Sequence, residues 1–308
     1  MSAGWVAASV RGRSLARRGL GSEAARSLAA ADYATALDTV CHSVYGHDVR
    51  PDMDLPSATR ALWSSALWHL RILAGWGPPL GAGAVRTMAG GFELANIDGL
   101  LLSLAGGSPP APFVLGSLAR AWPAASACTS LEALRRVLAG SPWGDPDSDD
   151  PGVVRLVLRI TWACRVLDEA PGAEDWAVSA VVLLMARAAC AGAVGMLPPR
   201  ARRDVARVLG HRSAAATTLQ ELRASAPRAA QRMLEPVRSA EDLWLAEAVW
   251  WRATRDGARA LARRPVAAAS VSVAAAALLA ADAWEVAAAL QLAARAGTPS
   301  RELLDALG

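Results

Sequence analysis

Val153-Val154-Arg155-Leu156-Val157-Leu158-Arg159-Ile160-Thr161-Trp162-Ala163-Cys164-Arg165-Val166-Leu167 is the stretch that decides the fold class. Val153, Leu156, Ile160, Cys164 and Leu167 recur at spacings of three and four, which lines them along one face of an α-helix. The same spacing extends outward in both directions. Upstream, Trp63, Leu67, Leu70 and Ala74 follow Ser57 as a start signal and stop at Gly75, and Leu94, Ile97, Leu101 and Leu104 precede Gly106 and Gly107. Thr129 with Glu132 reads as a capping box ahead of Leu131, Leu134 and Leu138, a stripe that stops before Gly140 and Pro142. Downstream, Asp282 with Glu285 reads as the start of a late helix carrying Val286, Leu290 and Ala293. Strand signals are nearly absent, with two Tyr, two Phe and few alternating β-branched runs, so the chain is expected to be all-α. Abundant alanine suits this, being the best helix former and small enough for close helix approach.

The 308 residues set a soft prior of about two domains, and a chain of 32.0 kDa can bury an ordinary apolar core. Apolar residues at 53% and charged residues at 19% argue against disorder. There is no lysine: all 32 basic side chains are arginine. That excludes a Walker-type phosphate loop and Schiff-base chemistry, both of which require an amine. The net charge of +4, with 28 acids interspersed, permits nucleic-acid binding without indicating it. Cys41, Cys128, Cys164 and Cys190 lie far apart and read as small buried hydrophobes in a reducing compartment. Arg11, Arg13, Arg17 and Arg18 follow the short apolar stretch Trp5 to Val10, the reverse of a secretory signal. The uncharged run from Val266 to Ala281, sixteen residues, falls short of the roughly 20 needed to span a bilayer and is expected to be a buried helix.

A faint internal repeat is present. A long Ala/Leu-rich helix ends in a Gly/Pro break and leads into a shorter helix closing on Leu-Gly. It runs as Leu94 to Leu104, Gly106 to Pro110 and Leu115-Gly116, then as Trp176 to Ala191, Gly195 to Pro199 and Leu209-Gly210. It returns as Trp284 to Arg295, Gly297 to Pro299 and Leu307-Gly308. Three helical modules follow, 1–116, 117–210 and 211–308, with a Pro- and Asp-rich linker at 141–152 inside the second and a weaker break at 211–218.

Candidate sites are few. Asp145, Asp147 and Asp149 start like a calcium loop, but Asp150 holds the glycine position and Leu156 the bidentate glutamate position, so a solvated acidic linker is expected. Leu209-Gly210-His211 with Thr217 and Thr218 has the look of a tyrosine-recombinase histidine segment, yet Leu219, Gln220 and Glu221 follow where the nucleophile should stand. Arg200, Arg202, Arg203, Arg207 and Arg212 could form a phosphate-binding face, although no aromatic residue is interleaved for stacking, and a solvated helix surface is the simpler reading. Cys41, His42, His47 and Asp48 match no standard zinc spacing, and His69 beside an apolar stripe reads as a partly buried histidine. Trp63, Trp68, Trp162, Trp176, Trp250 and Trp284 fall on expected helices, where core anchoring is the usual role. No convergent nucleophile, base and orienter is visible, so no catalysis and no cofactor or metal is expected.

One set of motifs has a familiar order. Val10, Arg11 and Arg13 lie in a first helix. Leu37 then precedes Ser43-Val44-Tyr45-Gly46. Glu93-Leu94-Ala95-Asn96-Ile97 is followed by Leu100-Leu101 and Gly106, and Trp284-Glu285-Val286 by Leu290 and Arg295. In this the chain resembles the C/d family of V-type ATPase central-stalk rotor proteins. Ser9, Ser43 and Leu102 stand where that family favours arginine, threonine and arginine. The resemblance implies a pseudo-threefold, funnel-shaped helical protein without catalytic function or cofactor. Such a protein is cytoplasmic, peripheral at the inner face of the membrane, and couples the central-shaft subunits to the membrane c-ring during ion transport. It also implies structural or interface roles for Arg11, Arg13, Tyr45, Gly46, Glu93, Asn96, Ile97, Trp284, Glu285 and Arg295. The alternative reading of the residues is a stand-alone helical adaptor or regulator, nucleic-acid binding through Arg200 to Arg212.

Overall fold

The computed structural model describes residues 3–264 and 269–295. Among these there is no strand, and the all-α expectation holds. The chain forms two compact units: Met1–Val85 together with Trp251–Gly308, and Arg86–Trp250. Their boundaries fall inside the first and third of the modules read from the sequence.

The helices are α1 (Ala3–Ala16), α2 (Gly21–Ala30), α3 (Tyr33–Cys41), α4 (Leu55–Trp76), α5 (Pro79–Met88), α6 (Gly90–Leu104), α7 (Trp122–Ala125), α8 (Leu131–Ala139), α9 (Pro151–Glu169) and α10 (Glu174–Cys190). They continue as α11 (Pro199–Leu209), α12 (His211–Ala214), α13 (Leu219–Ser225), α14 (Arg228–Leu234), α15 (Leu243–Ala262) and α16 (Ala269–Ala293).

The first unit is built around α16, which packs against α1, α2, α3 and α4. Its sequence is mostly alanine with Val271, Val273, Leu279, Val286 and Leu290 buried, and a helix apolar all round must be covered on every side. Small residues permit the close approach: a Cβ on Gly12 of α1 would sit 3.4 Å from Val271 and 3.5 Å from Ala275. α16 has 25 residues and a mean hydropathy of 1.7 over its most apolar window. By length and composition it could cross a membrane, and 78% of that window is buried within the protein. The sixteen-residue run therefore understated the helix. Nor do Asp282 and Glu285 start it: both lie in its interior, 7% and 3% exposed, because their oxygens serve partners elsewhere in the unit.

In the second unit the deciding stretch becomes α9, and it divides two cores. Val154 and Leu158 face Leu94, Ile97 and Leu101 of α6, Leu134 and Leu138 of α8, and Trp143. Val153, Val157, Ile160 and Cys164 face Val181, Val182 and Met185 of α10 and Val205 of α11. The stripe read from the sequence is thus one part of a wider buried arc, with Leu156 and Leu167 only half-buried.

Helix starts shift by a few residues from the expected signals. Asp54 caps α4 by accepting the Ser57 N–H at 2.9 Å, with Pro56 in the first turn. Ser130, not Thr129, caps α8, and Glu132 pairs with Arg136 at 2.8 Å instead of reaching back to the cap. Asp150 caps α9 ahead of Pro151.

The repeat is only partly seen. Pro199–Leu209 is helical and closes at Gly210 with φ 85°, a left-handed backbone suited to glycine. No shorter helix precedes Leu115: Pro109, Pro110 and Pro112 offer no N–H, and both backbone groups of Phe113 bond to the Asn96 side chain. The third set, Gly297 to Pro299 and Leu307-Gly308, lies outside the described residues. The 141–152 stretch belongs wholly to the second unit and is more than a solvated linker. Trp143 is 1% exposed, and Arg135 bridges Asp145 at 3.0 Å and Asp149 at 2.6 Å.

Candidate functional site

The chemistry-bearing residues gather into one buried polar cluster in each unit. In the first, the chain leaves α3 at Cys41 and turns through Ser43-Val44-Tyr45-Gly46. The Ser43 hydroxyl donates to the Val40 carbonyl (2.6 Å) and accepts the Tyr45 N–H (3.2 Å). Gly46 is required here, because a Cβ would lie 2.0 Å from the Cys41 carbonyl oxygen. α4 pins the turn from one side. Ser65 Oγ donates to the Tyr45 carbonyl at 2.7 Å, and His69 Nε2 lies 3.0 Å from the Val44 carbonyl oxygen.

The Tyr45 ring is fully buried, and its hydroxyl donates to Asp282 Oδ2 at 2.6 Å. Asp282 also accepts the N–H groups of Leu20 (3.1 Å) and Gly21 (2.6 Å) at the entry to α2. One helical turn on, Glu285 pairs with buried Arg255 of α15 and accepts from the Ser22 hydroxyl at 3.1 Å; Arg255 also bonds Ser22. Burial pushes the Tyr45 phenol well above its usual range, and the charge of Asp282 adds to that. Burial also raises the Glu285 carboxyl, opposed by Arg255, and lowers His69, opposed by its bond to the Val44 carbonyl. Arg255, Arg259, Asp282 and Glu285 line a cavity of about 70 Å³ with Gly19 and Gly21. That is room for a few waters. Trp284 stacks with Trp251, ring centres 6.1 Å apart.

The second unit holds Glu93, 1% exposed. Its Oε1 accepts three successive backbone N–H groups, from Arg120 (2.8 Å), Ala121 (2.8 Å) and Trp122 (2.7 Å), and its Oε2 accepts Trp143 Nε1 at 2.9 Å. A carboxylate surrounded by four donors is satisfied in the interior and fixes the chain leading into α7. One turn along α6, Asn96 clasps the extended chain at Phe113 through Nδ2 to its carbonyl (2.9 Å) and Oδ1 from its N–H (2.6 Å). Ile97, fully buried, belongs to the α6–α8–α9 core. Gly90 and Gly91 accept the Trp162 indole so closely that an added Cβ would fall 2.9 and 2.8 Å from it.

Of the positions singled out in the sequence, Tyr45, Gly46 and Glu285 therefore share one cluster, and Glu93, Asn96 and Ile97 the other. Arg11, Arg13 and Arg295 join neither: Arg11 lies 3.8 Å above the Trp76 ring, Arg13 donates to the Arg264 carbonyl at 3.1 Å, and Arg295 is exposed beyond the end of α16. The sequence reading missed Arg255, Ser22 and Trp143 as partners, and took Asp282 for a cap. An aspartate inside an alanine run, with no arginine one turn away, is the only local hint of its role.

Arg200, Arg202, Arg203, Arg207 and Arg212 are all exposed, in keeping with a solvated helix surface. Arg202 donates to the Leu197 (2.8 Å) and Gly195 (2.6 Å) carbonyls, Arg207 pairs with Asp168 at 2.9 Å, and Arg200 lies against Gly144. His47 stacks on Trp68 and contacts Asp48. Among the described residues, no group of three or more His, Cys, Asp or Glu side chains is placed to hold a metal ion. Burial pushes the Cys164 thiol up to about 11, so it behaves as an inert hydrophobe. Of the six tryptophans expected to anchor the core from helices, only Trp176 is buried; the most buried indole is Trp143, on a loop. No family model matches this sequence, and no curated protein matches it as a relative.

Proposed function

We propose that this chain is a non-catalytic central-stalk component of a V-type rotary ATPase or ATP synthase, carrying torque between the shaft subunits and the membrane c-ring. One observation carries the reading. Six of the ten positions to which the resemblance gives a role, Tyr45, Gly46, Glu93, Asn96, Ile97 and Glu285, help to tie helices and loops together inside the two units. Positions with a mechanical role would fall at such places, since torque transmission needs rigid, densely packed helices rather than titrating surface groups. Each of these buried acids is held by backbone N–H groups, a hydroxyl or an arginine, which suits a scaffold. In the proposed arrangement the helical modules surround a central opening with pseudo-threefold symmetry, one rim facing the ring at the cytoplasmic surface.

Co-expression with ring and shaft subunits tests this directly. The expected result is co-purification in a stoichiometric complex that withstands washing at moderate salt. A chain that elutes alone in the presence of both sets of partners overturns the reading. The rival, a nucleic-acid-binding adaptor, is less favoured because Arg202 and Arg207 within its basic segment are already engaged in the fold.

A further inference from the structure

α1 is apolar on two sides, and the first unit covers only one of them. Ala8, Ser9 and Gly12 face inward, Gly12 against Val271 and Ala275 of α16. On the outer side Val6 and Val10, one turn apart, are 46% and 61% exposed. Beside them the corner between α4 and α5 presents Trp76 at 58% and Leu80 at 77%. The two elements are in contact there: Arg11 lies on the Trp76 ring, Gly4 meets Pro78, and Trp5 meets Gly81. Four large apolar side chains are thus exposed on elements that touch one another, and apolar exposure of this kind marks an interaction surface.

Its charge identifies the partner. Arg11, Arg17 and Arg18 are exposed on or just after α1, and the chain holds no acid before Glu23. A corner that exposes aliphatic side chains of α1 and α5 and Trp76 of α4, with arginine on α1 and no carboxylate in that helix, is suited to meet the headgroup region of an anionic bilayer. Leu80 and Val10 stand proud of the surface, which a deformable lipid layer receives without a matching pocket. We propose that this α1–α4–α5 corner docks on an anionic phospholipid surface, with Val10, Trp76 and Leu80 entering the interface and Arg11, Arg17 and Arg18 contacting phosphates. The proposal is independent of the rotary assembly, because it needs no partner subunit.

Flotation of the purified full chain with protein-free vesicles tests it, comparing phosphatidylcholine alone with a phosphatidylcholine/phosphatidylglycerol mixture. Binding to the anionic vesicles is expected to be at least about tenfold tighter and to weaken between about 50 mM and about 500 mM salt. Arg17→Gln with Arg18→Gln should weaken it about fivefold per arginine removed. Val10→Ser with Leu80→Ser should abolish it while the melting curve stays unchanged, these side chains being exposed. If that pair unfolds the protein, the arginine pair alone decides the outcome. Equal binding to both vesicle types, no binding to either, or sedimentation showing a self-associated chain that Leu80→Ser returns to monomer would each overturn the proposal.

Discussion

Glu93 illustrates how a single buried acid organises its surroundings. Four donors converge on it, three of them consecutive backbone N–H groups that have no other acceptor once the chain folds over α6. Removing the carboxylate leaves those donors unsatisfied, at about 1–3 kcal/mol for each buried group without additivity. Glu93→Ala should therefore lose at least about 3 kcal/mol in denaturant unfolding, whereas Glu93→Gln, which keeps an acceptor oxygen, should lose much less. Equal losses for the two variants would mean that one acceptor oxygen does not suffice and that the full carboxylate is required. Glu93, Asn96 and Glu285 were singled out by the family resemblance. Their partners, at Arg120 to Trp122, Phe113 and Arg255, were not legible, because nothing in local spacing says which loop will pass over which helix face.

At the level of elements, helix formation and helix pairing have different origins. The sequence showed α6 and α9 through their periodicity, and the glycines and prolines at their ends fixed the termini within a few residues. The cap positions moved because side chains with competing partners, such as Glu132 with Arg136, are unavailable to the backbone. The turn after α3 depends on α4 for its position, through Ser65 and His69. Burial lowers the folded-state pKa of His69 below that of the unfolded chain, so folding favours its neutral form. This contribution to stability is present above about pH 6.5, and is lost as pH falls through the lowered folded value. Between pH 7 and pH 5 the unfolding free energy should fall, and His69→Gln should flatten that slope. An unchanged slope in the variant would place the acid sensitivity elsewhere.

On the scale of the whole molecule, the first unit is assembled from both ends of the chain, and the second from one continuous segment. α16 supplies the centre of the first unit and packs on α1 to α4. A chain ending at Trp250 should therefore lose the folded first unit while Arg86–Trp250 still melts cooperatively. Limited proteolysis should then cut first within the N-terminal 85 residues; preferential loss of the second segment would contradict the division.

The sequence by itself determined that the chain is helical, because each helical hydrogen bond joins residues four apart and the apolar period of a helix is written in adjacent turns. Only the tertiary structure decided that Tyr45 meets Asp282, that α9 separates two cores and that α1 leaves one apolar side uncovered. Those outcomes depend on close packing between segments as much as 263 residues apart, where shape and burial select the neighbour.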